Sequence, residues 1–121
     1  MPIESYKDLV VWKKSIGLVD EIYLITKKFP QSEVYALASQ MQRAAVAIPS
    51  NIAEGFSRHH KKEYIQFLAI SYSSAAELET QIIIAKRQYK DLNYSKADLM
   101  LEEVKKMLYV LISKLKAVSA T

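Results

Sequence analysis

The chain has 121 residues, half of them hydrophobic and a quarter charged, the balance of one globular domain with a real core rather than of a disordered chain. Two glycines and three prolines leave little material for turns, so a few long elements with short links are expected, and the fold class is all-α over a single domain, 1–121. The absence of cysteine excludes disulfides and thiolate metal sites, and a net charge of +4, from 17 Lys and Arg against 13 Asp and Glu, is compatible with nucleic acid without specifying it.

The first helical segment is predicted over about residues 6–29. Ser5 and Asp8 have capping-box spacing, Leu9, Trp12, Ile16, Val19 and Tyr23 recur at three and four residues, and Phe29-Pro30 ends the pattern. The second, about 33–57, takes Ser32 as N-cap and places Val34, Leu37, Met41, Ala44, Ile48 and Ile52 on one face. The third, about 60–90, is the longest, with Tyr64, Leu68, Ser71, Tyr72, Ala75, Leu78, Ile82, Ala85 and Tyr89 in a heptad stripe. The fourth, about 95–118, opens at Ser95 and Asp98, again at capping-box spacing, and carries Leu101, Val104, Leu108, Leu111, Leu115 and Val118. Four segments with sustained 3.5-residue periodicity and short links describe an up-down-up-down four-helix bundle.

Two helices carry more apolar surface than a single seam requires. The first has a second stripe in Leu18, Ile22, Ile25 and Phe29, and the third keeps Ile65, Phe67, Ile70, Ile83 and Ile84 outside its heptad. Such faces point to self-association, or to a wide contact within a small core. At the N-terminus, MPIESYKDL has polar and acidic residues where a secretory signal needs a basic and then an apolar region. No apolar run reaches bilayer-spanning length, so a cytoplasmic protein without membrane contact is expected.

Pro49 falls inside the second helical pattern, where it lacks the N–H that would bond the carbonyl of Ala45. The helix must kink there or restart, and the spacing of Asn51 and Glu54 favours a break with a new local cap. Asn51 in that role contributes about 1 kcal/mol or less; within a buried bonding network it would contribute more, and the larger loss is the one expected. Gly55 then supplies either a flexible point or close backbone packing before the basic turn RHHKKE.

The stretches QRAAVAIPSNIAEGFSR and KKEYIQFLAISYSSAAELETQIIIA, with DLVVWKKSIGLVDEIY near the start, resemble the four-helix-bundle proteins of the 23S rRNA intervening-sequence family over nearly the whole chain. The positions that carry the resemblance are Trp12, Arg43, Pro49, Asn51, Glu54, Gly55, Phe67, Leu68, Glu77 and Glu79. It implies a left-handed bundle that assembles as a ring-shaped homopentamer. The related accessory variability determinants of diversity-generating retroelements use a similar basic pentamer to bind nucleic acid and a reverse transcriptase. Partners of those kinds are therefore implied. Where relatives often place Ser before KKE, this chain has His60, so the cap of the third helix is expected to be weaker or to fall to Ser57.

The candidate nucleic-acid site is Arg58, His59, His60, Lys61 and Lys62, at a bundle end that also receives Lys13 and Lys14 from the first helix and Lys114 from the fourth. Cations at the ends of the second and fourth helices also suit the helix dipole, whereas Lys61 and Lys62, at a helix start, oppose it. A second cluster, Lys86, Arg87, Lys90 and Lys96, sits at the opposite end among Tyr89 and Tyr94. A ring multiplies either cluster, and many phosphate contacts give non-specific binding its strength. No base-reading helix, phosphate loop, nucleophile elbow or triad is present. His59 and His60 are adjacent and Glu77 and Glu79 lie on different faces, so no metal, cofactor or catalytic role is expected. Glu54 and Glu77 are read as structural, partly buried partners of Arg43. The alternative function is a protein-interaction scaffold with no direct nucleic-acid role.

Overall fold

The structure, a computed structural model, describes residues 3–119; the domain expected over 1–121 extends past the described residues at both ends. Among those residues the chain forms four α-helices and no strand: α1 Val10–Thr26, α2 Leu37–Phe56, α3 Lys61–Gln88 and α4 Ser95–Ser119. Each helix packs on its chain neighbours, α4 closes on α1, and the backbones of the diagonal pairs stay apart. This is the expected up-down bundle. The α2–α3 interface is the most extensive of the four.

The helix starts differ from the cap spacings. Ser5 does accept a bond, from the Lys7 N–H at 3.2 Å, but it caps a separate 3-10 turn, Tyr6–Asp8. Helix α1 begins at Val10 with Leu9 at its N-cap and no side-chain bond. Ser32 lies inside another 3-10 turn, Gln31–Glu33, and α2 starts at Leu37, also without a side-chain cap. Val34 is therefore outside the helix and exposed. At α4 the capping oxygen belongs to Asn93, whose Oδ1 accepts from the Ser95 N–H at 2.9 Å and the Ser95 hydroxyl at 2.7 Å. Asp98 is drawn instead to Lys86 of α3. Short polar residues mark where the chain turns, while packing of the flanking apolar residues decides which turn becomes the helix.

The seam of α1 is the reverse of the one expected. Leu18, Ile22, Ile25 and Phe29 are buried, whereas Leu9, Trp12 and Val19 are half-buried and Ile16 and Tyr23 are exposed. Both stripes have helical spacing, so periodicity alone could not rank them. Chemistry does: the outer stripe contains Trp and Tyr, whose N–H and O–H groups favour a wet side. The polar atoms of the buried face, the Ser15 and Thr26 hydroxyls, bond instead to the Trp12 and Ile22 carbonyls within the helix. Helices α2 and α3 follow the expected pattern, with Met41, Ile48, Ile52, Leu68, Leu78 and Ile82 at the centre of the core, and so does α4 through Val104 and Leu108. Leu111 and Leu115 are half-buried, and Val118, in the last turn beyond the packed core, is exposed rather than part of the seam.

Helix α2 runs unbroken through Pro49, which is buried. The restart is not observed. Asn51 donates from Nδ2 back to the Ala47 carbonyl at 2.8 Å, and Glu54 meets Arg58 rather than a cap. A proline in a helix interior costs about 3 kcal/mol through its lost bond and crowded ring. Here the turn is held by added side-chain bonds, because Ser71 of α3 also donates to the Ile48 carbonyl at 2.9 Å. Asn51 is half-buried with this one side-chain bond, so it is neither an N-cap nor part of a network, and the larger loss does not follow. Asn51→Ala is expected to lower stability by about 1 kcal/mol or less, read as a small shift in the urea midpoint.

Candidate nucleic-acid interface

The basic turn is shaped by the way α2 stops and α3 starts. Ser57 is the C-cap of α2, its N–H bonded to the Ala53 and Gly55 carbonyls, and the Arg58 N–H bonds the Gly55 carbonyl at 3.2 Å. Ser57 thus closes α2 and does not cap α3. His59 then takes a left-handed conformation, φ 63°, which non-glycine residues adopt at some cost and which turns the chain sharply. His60 follows in an extended conformation at the N-cap of α3, with no side-chain capping bond, and its carbonyl accepts the Tyr64 N–H at 2.9 Å. The weaker cap expected from His60 is what the structure contains.

Within this turn the cations are not equivalent. The Arg58 guanidinium lies 3.8 Å from Glu54 and 5.1 Å from the centre of the Phe67 ring, so it is held against both helices. Lys61 and Lys62 are exposed, as are His59 and His60, and none of the four makes an ion pair among the described residues. The bundle topology brings the first turns of α1 and the last turns of α4 to this end. Lys13 is exposed there, Lys114 lies beside Leu9 and Val10, and Lys14 is turned toward α4, where it pairs with Glu103 at 2.9 Å. No bond or ion pair joins these three to the turn; they share its end of the bundle.

At the opposite end Lys86 is neutralised by Asp98, while Arg87, Lys90 and Lys96 are exposed without an ion pair among the described residues. Two further cations stand here that were not among the expected site residues. Phe29 packs on Tyr89 with ring centres 4.9 Å apart, and the Tyr89 hydroxyl donates to Glu33 at 2.7 Å, which places Lys27 and Lys28 beside the end of α3. An up-down topology already requires the end of the first helix to lie there, so that signal was available.

The tyrosines around this end are structural. Tyr94 donates from its hydroxyl to the Tyr89 and Ala85 carbonyls, at 2.9 and 3.2 Å, closing the C-terminus of α3. The bond to Glu33, with burial and the carboxylate charge, raises the Tyr89 phenol above its ordinary value of 10.0; burial raises Tyr64 and Tyr94. The fold thus favours the neutral phenols, and that stabilisation is full below about pH 10 and is lost as pH climbs through the raised values. The melting temperature is expected to drop above about pH 10, and less so in Tyr89→Phe, whose phenol no longer titrates.

The residues that carried the resemblance divide into two groups. Trp12, Pro49, Gly55, Phe67 and Leu68 pack the helices together: Trp12 meets Tyr6 edge-on at 5.4 Å and shares a groove with Val46 and Pro49. Glu79 pairs with Lys105 of α4 at 3.1 Å. Glu54 and Glu77, expected to be partly buried, are exposed, and Arg43 pairs with neither acid. All three side chains are exposed, so water solvates their charges and no partner is required.

These features define a small all-α bundle protein built on a proline-bearing second helix, a long third helix and an exposed basic turn between them. Comparison with protein families places the chain: the model of the 23S rRNA-intervening sequence protein matches residues 7–110, and the chain belongs to that family. A crystal structure of a protein of unknown function, from the S23 ribosomal protein family of Bacteroides thetaiotaomicron, has the same fold, with a TM-score of 0.77 at 23% identity, over 85% of this chain and 98% of that one. Comparison with curated protein sequences finds no match. Among the described residues no helix is long and apolar enough to cross a membrane.

Proposed function

We propose that the protein is a non-enzymatic, oligomeric binding module of the cytoplasm that holds RNA or DNA through charge, without reading sequence. The observation that carries this reading is the α2–α3 turn, where Lys61 and Lys62 are exposed beside a chain reversal at His59 and make no ion pair among the described residues. Exposed lysines of this kind act as point charges toward phosphate. Assembly into a homopentameric ring, the arrangement the family resemblance implies, would repeat the turn and multiply the +4 of each chain. Self-association is supported by the apolar side chains left outside the core, Ile16 and Tyr23 on α1, Val46 on α2, and Ile70, Ile83 and Ile84 on α3.

Reversing three charges, Arg58→Glu with Lys61→Glu and Lys62→Glu, is expected to weaken the gel shift of structured RNA and duplex DNA at least about tenfold. The oligomer, followed by light scattering on a sizing column, stays unchanged. Undiminished binding by the variant would remove the turn from the interface. The apolar groove containing Trp12, Val46 and Pro49 favours a second reading, a scaffold for a protein partner such as a reverse transcriptase. That reading gains if the wild-type protein assembles but shifts no nucleic acid.

A further inference from the structure

Charge is segregated along the bundle axis in a way that the linear sequence hides. Taking as an end the six terminal residues of each helix with the adjoining turns, the end with the basic turn holds eight basic and four acidic side chains. The opposite end holds six basic ones, Lys27, Lys28, Lys86, Arg87, Lys90 and Lys96, against four acidic. The waist between them holds three basic and five acidic. Lys105 and Lys106 pair with Glu79 and Glu102, and Glu103 pairs with Lys14, which leaves Asp20 and Glu77 against Arg43. Two positive ends flank a negative waist.

We infer that the protein holds two separate nucleic-acid segments at once, one at each end of the bundle, and so bridges them. The inference rests on the proposed nucleic-acid binding and adds to it a second, opposed site. At the far end two of the four acids are engaged, Asp98 by Lys86 and Glu33 by the Tyr89 hydroxyl. The five cations other than Lys86 are exposed and without an ion pair among the described residues. Helix α3 spans 28 residues, a rise of about 42 Å. That is several times the screening length of about 8 Å at physiological salt, so each end attracts phosphate independently of the other. A single duplex laid lengthwise would have to cross the acidic waist, where phosphate meets carboxylate. Two segments, one per end, avoid that repulsion.

The test uses the full-length protein with one RNA duplex fixed to beads and a second, labelled duplex in solution. Wild type is expected to retain the labelled duplex on the beads. The variant with Lys28→Glu, Arg87→Glu and Lys90→Glu should still shift a single duplex in a gel, yet retain about tenfold less of the second, because only one of its two ends still attracts phosphate. Circular dichroism confirms that the variant is folded; these side chains are exposed, so it should be. Bridging by the variant at the wild-type level would overturn the inference, as would a wild type that shifts single duplexes but retains no second one. In both cases the binding reading itself stands. Failure of the wild type to shift any duplex at low salt removes the two together.

Discussion

Leu18→Ala is expected to cost about 2–5 kcal/mol, and Ile16→Ala, two residues away on the same helix, under about 1 kcal/mol. Leu18 is fully buried against the other helices, whereas Ile16 is 37% exposed. Removing the Leu18 side chain loses its transfer energy and leaves a cavity between packed helices that cannot close fully. Removing that of Ile16 strips part of a rim that water already touches. Urea denaturation of the two variants separates the stripes of α1 directly. Equal losses, or a larger loss at Ile16, would show that the outer stripe is the seam. A loss at Ile16 that grows with protein concentration would show a second copy covering it.

Gly55→Ala is expected to destabilise by about 1–3 kcal/mol through overpacking, although alanine is the better helix former by about 1 kcal/mol. A Cβ at Gly55 would lie 2.7 Å from the Cβ of Phe67, 3.1 Å from Cδ1 of Tyr64 and 3.3 Å from the Tyr64 carbonyl. The Phe67 Cβ is fixed to its backbone, so no rotamer change relieves the clash. Helices α2 and α3 must move apart where the bundle is most extensively packed. Gly17 is the control, because a Cβ there meets only the terminal methyl of Met100, at 3.1 Å. That methyl swings aside, and Gly17→Ala should be neutral or stabilising. A neutral Gly55→Ala would mean that the α2–α3 interface is looser than the geometry shows.

Most of the bundle was legible from apolar periodicity, because burial in four antiparallel helices demands it: the heptad of Leu68, Ser71, Ala75, Leu78, Ile82 and Ala85 is buried throughout. Where two stripes of equal spacing shared one helix, as on α1, the pattern was silent on which faced inward. Cap spacings were weaker guides. Ser5 and Ser32 lie at 3-10 turns, Asn93 takes the place of Ser95, and Asn51 bonds backward within an unbroken helix. These outcomes depend on tertiary packing that local sequence does not encode. The basic turn was visible as composition. The difference between Arg58, held by Glu54 and Phe67, and the unpaired Lys61 and Lys62 was not, since it arises from where α2 ends and how His59 turns the chain.

The claim that exposed lysines of the bundle ends hold nucleic acid is tested most directly by the salt dependence of binding. Fluorescence anisotropy of a labelled RNA hairpin, titrated with the wild-type protein at increasing salt, gives the slope of log affinity against log salt. Charge-driven binding predicts a straight line with a negative slope of about 0.7–0.9 per phosphate contacted, and a loss of about a thousandfold or more between low and physiological salt if about six or more phosphates are held. An affinity indifferent to salt, or no binding even at the lowest salt, would contradict it.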